Sequence, residues 1–167
     1  FHQQSPEWDV RLSTTNELVD LKKHDYDMCI RYGDGVYPGL TVHRLGEEEV
    51  SPVCAPQLLE GDRAIREPND LRWHTLIHED WVISNEKVGP SLGMWLQAAE
   101  AGQFDPNPGP HLPQASLAVQ AAIAGQGVAL SSTAMIADDL KSGKLVRPFG
   151  EYYKTRVDSG YFLVYLE

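Results

Sequence analysis

Long apolar runs, cysteine and basic charge are all scarce in these 167 residues, and each scarcity excludes something. No stretch approaches the roughly 18 apolar residues of a spanning helix, and the opening FHQQSPEWDV has neither the basic start nor the apolar core of a secretion signal. Nothing in it reads as a membrane segment. The two cysteines, Cys29 and Cys54, are too few for a disulfide framework. Both lie in apolar runs, DMCIRYG and VSPVCAPQLL, where cysteine behaves as a small buried hydrophobe. Fourteen Lys and Arg against 24 Asp and Glu give a net charge of −10, which repels a polyphosphate backbone. This stretch by itself is not expected to bind nucleic acid. An initiator Met is absent too, and the first six residues look like the tail of a helix turning into a strand, so further chain is expected upstream.

What is present is ordinary globular composition, 42% hydrophobic and 23% charged, enough for one good core or two small lobes. VRLSTT (residues 10–15) alternates like a strand, and Asn16 offers a cap for a short helix over ELVDLKKH. DMCIRYG reads as a buried strand. Residues 40–56 are extended, interrupted at Gly46, and too long for one ordinary strand. Short helical turns follow at PQLLEG and PNDLRW, then a strand at HTLIHE, a polar loop, and the amphipathic helix SLGMWLQAAEAG with Leu92, Trp95, Leu96 and Ala99 on one face. The stretch LAVQAAIAGQGVAL reads as a helix up to Gly125 and a strand from Val128. A helix at MIADDLKSG and strands at KLVRPF and GYFLVYLE complete the pattern. Strands alternating with short helices predict an α/β fold with mostly parallel sheets. The two long extended stretches, residues 40–56 and 152–163, are the natural crossovers between two lobes, with a ligand cleft between them.

No catalytic constellation emerges. The Gly-x-Gly of AGQGVAL follows a helix and precedes a strand, the reverse of a dinucleotide fingerprint, and there is no Gly-Lys-Ser/Thr for a phosphate loop. His74 and His78 would meet only on a helix, whereas on a strand they lie about 13 Å apart, and Thr75 stands where a zinc motif needs Glu. No Gly-x-Ser-x-Gly elbow occurs. Adjacent residues of GEEEV point to opposite faces of a strand, which favours a charged edge or hinge over paired catalytic carboxylates. What remains are two predicted helix starts with small polar residues, Thr14, Thr15 and Asn16, then Gln114, Ala115 and Ser116. Helix starts present free N–H groups that hold carboxylates or phosphates. Asn16 and Ser116 could equally just cap their own helices, worth about 1 kcal/mol each.

The ordered set DYDMCIRYGDGVYPGL, EEEVSPVCAPQLL, TLIHEDW, VQAAIAGQGVAL and LKSGKLVRPF resembles the effector-binding domain of LysR-type transcriptional regulators, in the glycine-cleavage-activator-like group. Each piece is weak alone, while the order and spacing over nearly the whole chain are specific. The resemblance implies an α/β, periplasmic-binding-protein-like (type II) fold, two α/β lobes joined by two crossover strands and truncated at both ends. Lobe one would comprise residues 1–50 plus 155–167, incomplete, and lobe two residues 51–154. It implies a cytoplasmic protein, without enzymatic activity, cofactor, metal or membrane partner, that senses a small polar metabolite such as an amino acid or other carboxylate. Promoter DNA would be bound through an N-terminal helix-turn-helix domain absent from this sequence, in a dimer or tetramer of the full-length parent. By position, the resemblance places the effector at Thr14, Thr15, Tyr32, Gly33, Gln114 and Ser116, with Asn16 beside them. The other reading of the same fold is a type-II periplasmic solute-binding protein delivering a nutrient to a transporter.

Overall fold

The computed structural model describes residues 3–15, 17, 19–80, 82–83, 87–101, 104–150 and 155–167. In chain order the strands are β1 (Met28–Gly33), β2 (Thr41–Arg44), β3 (Glu48–Val53), β4 (Leu76–Glu79), β5 (Val82–Ile83), β6 (Lys87–Val88), β7 (His111–Leu112), β8 (Val128–Ser132), β9 (Thr155–Val157) and β10 (Gly160–Tyr165). The helices are α1 (Leu92–Ala98), α2 (Ala115–Ile123) and α3 (Thr133–Lys141), with short 3-10 turns at Pro56–Leu59 and Pro68–Trp73.

These elements form a three-stranded sheet in the order β1-β10-β2 and a five-stranded sheet in the order β7-β4-β8-β3-β9, with β5 and β6 as a separate hairpin. The long extended run breaks at residues 45–47, so that β2 joins one sheet and β3 the other. The return passage does the same through β9 and β10. The Leu45 amide donates to the Tyr161 carbonyl at 2.9 Å, tying the two crossovers side by side.

Alternation along the strands decides the packing of the larger sheet. Val50, Leu76, Val128 and Leu130 point to one face, where they meet Leu92, Trp95 and Leu96 of α1. Val53, Ile77 and Ala129 point to the other, against Ala118, Val119 and Ala122 of α2 and Ile136 of α3. All five residues of β8 are buried, as expected for a strand covered on both faces. The smaller sheet packs Phe162 and Val164 of β10 on Leu21 and Tyr37. Both cysteines are free, and Cys54 is fully buried with its thiol pushed up to about 12 by desolvation.

Several local expectations are overturned. Residues 10–15 form no strand: Val10 and Leu12 are exposed, Leu12 by 91%, and alternation without a neighbouring edge builds no ladder. Among the described residues of the helix expected over residues 17–24 there is a turn at residues 21–23, since a short helix gains too few hydrogen bonds to repay its nucleation. KLVRPF contributes a lone bridge between Val146 and Cys54, since Pro148 has no N–H with which to extend it. β1 is half exposed rather than buried, with Ile30 66% accessible, because Met28 and Ile30 lie on the face of the smaller sheet opposite its Phe162 and Val164 core. The sheets are mixed, not mostly parallel: β4 runs parallel to β7 and β8, whereas every pairing made by the crossover strands is antiparallel. A crossover that returns beside its outgoing partner must run against it.

The glycines of AGQGVAL act at the helix exit. Gly125 takes the left-handed conformation just after α2, at φ 73°. A Cβ at Gly127 would lie 2.2 Å from the Thr75 carbonyl oxygen, which accepts the Val128 amide at 2.9 Å. Backbone cannot yield there without opening the β4–β8 pairing. Gly127→Ala is therefore expected to cost about 1–3 kcal/mol in urea unfolding. Gly46→Ala, where a Cβ meets nothing within 4 Å, should stay within about 0.5 kcal/mol of the parent.

Candidate functional site

Strand direction gathers the polar residues at one place. Because β4, β7 and β8 are parallel, their carboxyl ends share one edge of the larger sheet, and antiparallel β3 begins at that same edge. The edge therefore carries Glu79 at the end of β4, Ser132 at the end of β8 and Glu48 at the start of β3. It also carries the N-terminus of α2, three residues beyond the end of β7. In open α/β sheets this is where ligands bind.

The smaller sheet contributes the carboxyl end of β1 and the start of β10. Tyr32 and Tyr161 are register partners with rings 5.1 Å apart, edge to face, and the Tyr32 hydroxyl bonds Ser159 Oγ at 3.1 Å. The two phenols come close enough to the larger sheet to feel the charges of both Glu48 and Glu79. Burial is the main cause of their raised ionisation, with Tyr161 pushed up to about 12, and the two carboxylates add to it. Tyr32 and Tyr161 thus form a pair between the sheets that the charges of Glu48 and Glu79 each reach.

The carboxyls differ in their surroundings. Glu48 is 4% exposed and accepts from the Ser132 hydroxyl, while its Oε1 has no hydrogen-bond partner among the described residues. Ser132 is fixed in turn by accepting the Met135 amide as the cap of α3. Desolvation raises Glu48, and the Ser132 bond and the charge of Arg44 partly oppose it. Glu79 accepts the Ala115 amide at the start of α2, yet burial dominates and lifts its carboxyl to about 7.

The residues expected to bind effector are distributed unevenly. Tyr32 is one of the pair. Gly33 is buried, and a Cβ there would come within 2.5 Å of the Tyr37 hydroxyl, so its smallness serves packing. Gln114 precedes α2 as its cap residue, exposed and without a side-chain capping bond, and Ser116 is exposed inside the first turn and does not cap. The amide of Ala115 between them is the one that Glu79 takes up. Thr14 and Thr15 are exposed and begin no helix; Thr15 Oγ1 accepts the Glu17 amide at 3.0 Å in a local turn. Asn16 lies outside the described residues.

Sequence reasoning missed Glu48, Glu79 and Tyr161. Glu79 ends the strand predicted at HTLIHE, and strand ends are where site residues belong. Glu48 was legible as the inward member of GEEEV had the face been known, and Tyr161 required the register with Tyr32. His74 and His78 do not meet: His74 Nε2 bonds the Arg63 carbonyl, and His78 stacks on His111 at 4.7 Å.

With this geometry in view, similarity to known proteins defines the family. The LysR substrate binding domain profile matches residues 1–167. The chain is 34% identical over 155 residues to the glycine cleavage system transcriptional activator of Escherichia coli K12, covering 90% of this chain and 47% of that protein. It is 32% identical over 170 residues to the transcriptional activator AmpR of Pseudomonas aeruginosa, covering 95% and 53%. Among solved structures, the effector domain of that AmpR superposes with a TM-score of 0.74 at 28% identity, covering 99% of this chain and 75% of the other. The AmpR effector-binding domain from Citrobacter freundii gives 0.76 at 26% identity, covering 99% and 76%. The chain belongs to the LysR substrate-binding domain family. Its fold is that of the type II periplasmic-binding-protein-like α/β domains, and it spans about half the length of the curated relatives it matches.

The Glu79 carboxyl carries a pH signature. Its pKa rises on folding from the ordinary 4.5 to about 7, so its contribution to stability is full below pH 4.5 and is lost as pH climbs through 7. Glu79→Gln keeps an acceptor for the Ala115 amide without the charge. Its melting temperature should exceed the parent's by about 2–4 °C at pH 8 and converge with it near pH 5, the effect of about 1 kcal/mol once partial solvent access is allowed for. Scanning calorimetry across that range checks it.

Proposed function

We propose that this chain is the effector-sensing part of a LysR-type DNA-binding transcriptional regulator, a cytoplasmic non-enzymatic protein. The observation that carries the reading is the family match over residues 1–167. A small polar metabolite would bind in the cleft between two lobes, residues 1–50 with 155–167 and residues 51–154. Tyr32 is proposed to contact it from one side, and Gln114 and Ser116 at the start of α2 from the other, with Gly33 shaping the wall through Tyr37. Thr14 and Thr15 would approach from the segment that leads into β1 rather than from a helix start.

The full-length parent would add a helix-turn-helix domain for promoter DNA and assemble as a dimer or tetramer. The acidic balance of this chain accords with that division of labour, the basic surface belonging to the DNA-binding part. The relatives are described as transcriptional activators, which favours this role over nutrient delivery to a transporter.

A metabolite library screened by thermal shift tests the proposal. At 100 times its dissociation constant a true effector stabilises the domain by about 2.7 kcal/mol, a rise of about 5–10 °C for a chain of this size. Failure of every compound, together with a full-length parent that binds no DNA, would overturn it.

A further inference from the structure

Two histidines meet at the β7 edge of the larger sheet, away from the tyrosine pair. β7 is two residues long and pairs with β4, in a register that sets His111 beside His78. Their imidazoles stack with centroids 4.7 Å apart and planes 24° apart. His111 Nδ1 lies 3.0 Å from Asp80 Oδ1 on the solvent side, both side chains more than half exposed. His78 is held from within. It donates to the Pro108 carbonyl while its Nε2 is buried with no partner among the described residues, so Nδ1 makes the bond and Nε2 is the bare nitrogen of a neutral ring. A Cβ at Gly109 would stand 3.4 Å from His78 Cδ2 and 1.8 Å from the Leu76 carbonyl oxygen, a measure of how closely this loop covers the ring. Among the described residues the charges that reach His78 are those of His111 and Asp80. α1, which covers the same face, has no titratable side chain, and Leu130 of β8 is apolar. Glu79 points to the opposite face, toward Ala115.

A proton on His78 is badly placed in this contact. It would put an N–H at Nε2 where no acceptor waits, and a cation against the His111 ring. Burial, then the His111 charge, lower the His78 pKa from the ordinary 6.5, against the opposing pull of the Pro108 bond and the Asp80 charge. With the folded value below the unfolded one, the contact has its full strength above pH 6.5 and loses it as pH falls through that value. The same strand pairing positions the next element. The His78 and Asp80 amides donate to the Pro110 and Leu112 carbonyls at 2.9 and 3.1 Å, and α2 starts three residues after Leu112. We propose that the His78–His111 pair is a proton-operated latch on the β7 edge, closed while His78 is neutral and opened by its protonation, so that acid frees β7 and the start of α2 that follows it. The latch rests on this geometry alone. Its consequence for ligand affinity, weaker effector binding in acid through Gln114 and Ser116, rests on the effector-sensing reading above.

Amide hydrogen exchange of this chain, followed by NMR at pH 7.5 and 5.5 and corrected for the intrinsic pH dependence, reads the latch directly. Protection of the His78 and Asp80 amides is taken relative to that of the Val128 amide, which bonds the Thr75 carbonyl where β8 meets β4. That ratio should fall about fivefold or more on going to pH 5.5. Glu79 does not imitate the effect, because its titration adds stability as pH falls. His78→Phe keeps a flat ring without a titrating nitrogen and should hold the ratio within about twofold between the two pH values. If that variant does not fold, His111→Phe, at an exposed position that keeps the stack and removes the facing charge, should give a smaller fall than the parent. A parent ratio that does not change with pH, or an equal fall in the parent and in the folded variant, would overturn the latch and leave the effector-sensing reading untouched.

Discussion

Two neighbouring passages of chain, residues 45–47 and 158–159, carry the entire covalent connection between the two sheets, and the rest of the structure depends on how they lie together. Each passage ends one strand in one sheet and begins another in the other, and the Leu45 to Tyr161 hydrogen bond holds them abreast. That arrangement fixes which edges oppose each other. It brings the carboxyl ends of β4 and β8 toward the end of β1, and with them Glu48, Glu79, Tyr32 and Tyr161.

The same constraint explains what sequence could and could not show. The helix–Gly-x-Gly–strand unit around Gly125 and Gly127 was readable because its signals are local: helical spacing, a left-handed exit, an apolar strand. α1 was readable from Leu92, Trp95 and Leu96 for the same reason, and the split of residues 40–56 from Gly46. The region around residues 10–24 was misread because alternation and a capping residue say nothing about whether a neighbouring edge exists to receive them. The parallel-sheet expectation failed on a related point, since the direction of β3, β9 and β10 follows from the crossovers and not from the strands' composition.

The site lay further from view than the fold. Tyr32 was placed by family resemblance, but Tyr161 joins it through a register pairing across more than a hundred residues. Glu48 looked like part of a charged edge or hinge, and its neighbours differ from it by the strand's twofold alternation: Glu47 is exposed, whereas Glu48 is buried. Sequence reasoning offered the start of α2 as a place for a ligand's acid group, whereas in the structure the Ala115 amide is taken by the protein's own Glu79.

The interleaving of β10 between β1 and β2 also bears on how the molecule comes into being. Strands β1 and β2 are made early, but they do not touch each other in the finished sheet; both pair with Gly160–Tyr165, almost the last residues of this sequence. The elements of the larger sheet are contiguous between β3 and β9 and can close on themselves during synthesis. The smaller sheet has to wait for β10 to leave the ribosome, with the apolar faces of β1 and β2 uncovered meanwhile. Nascent chains arrested before residue 160 would expose those faces, which makes this half the natural point for chaperone engagement.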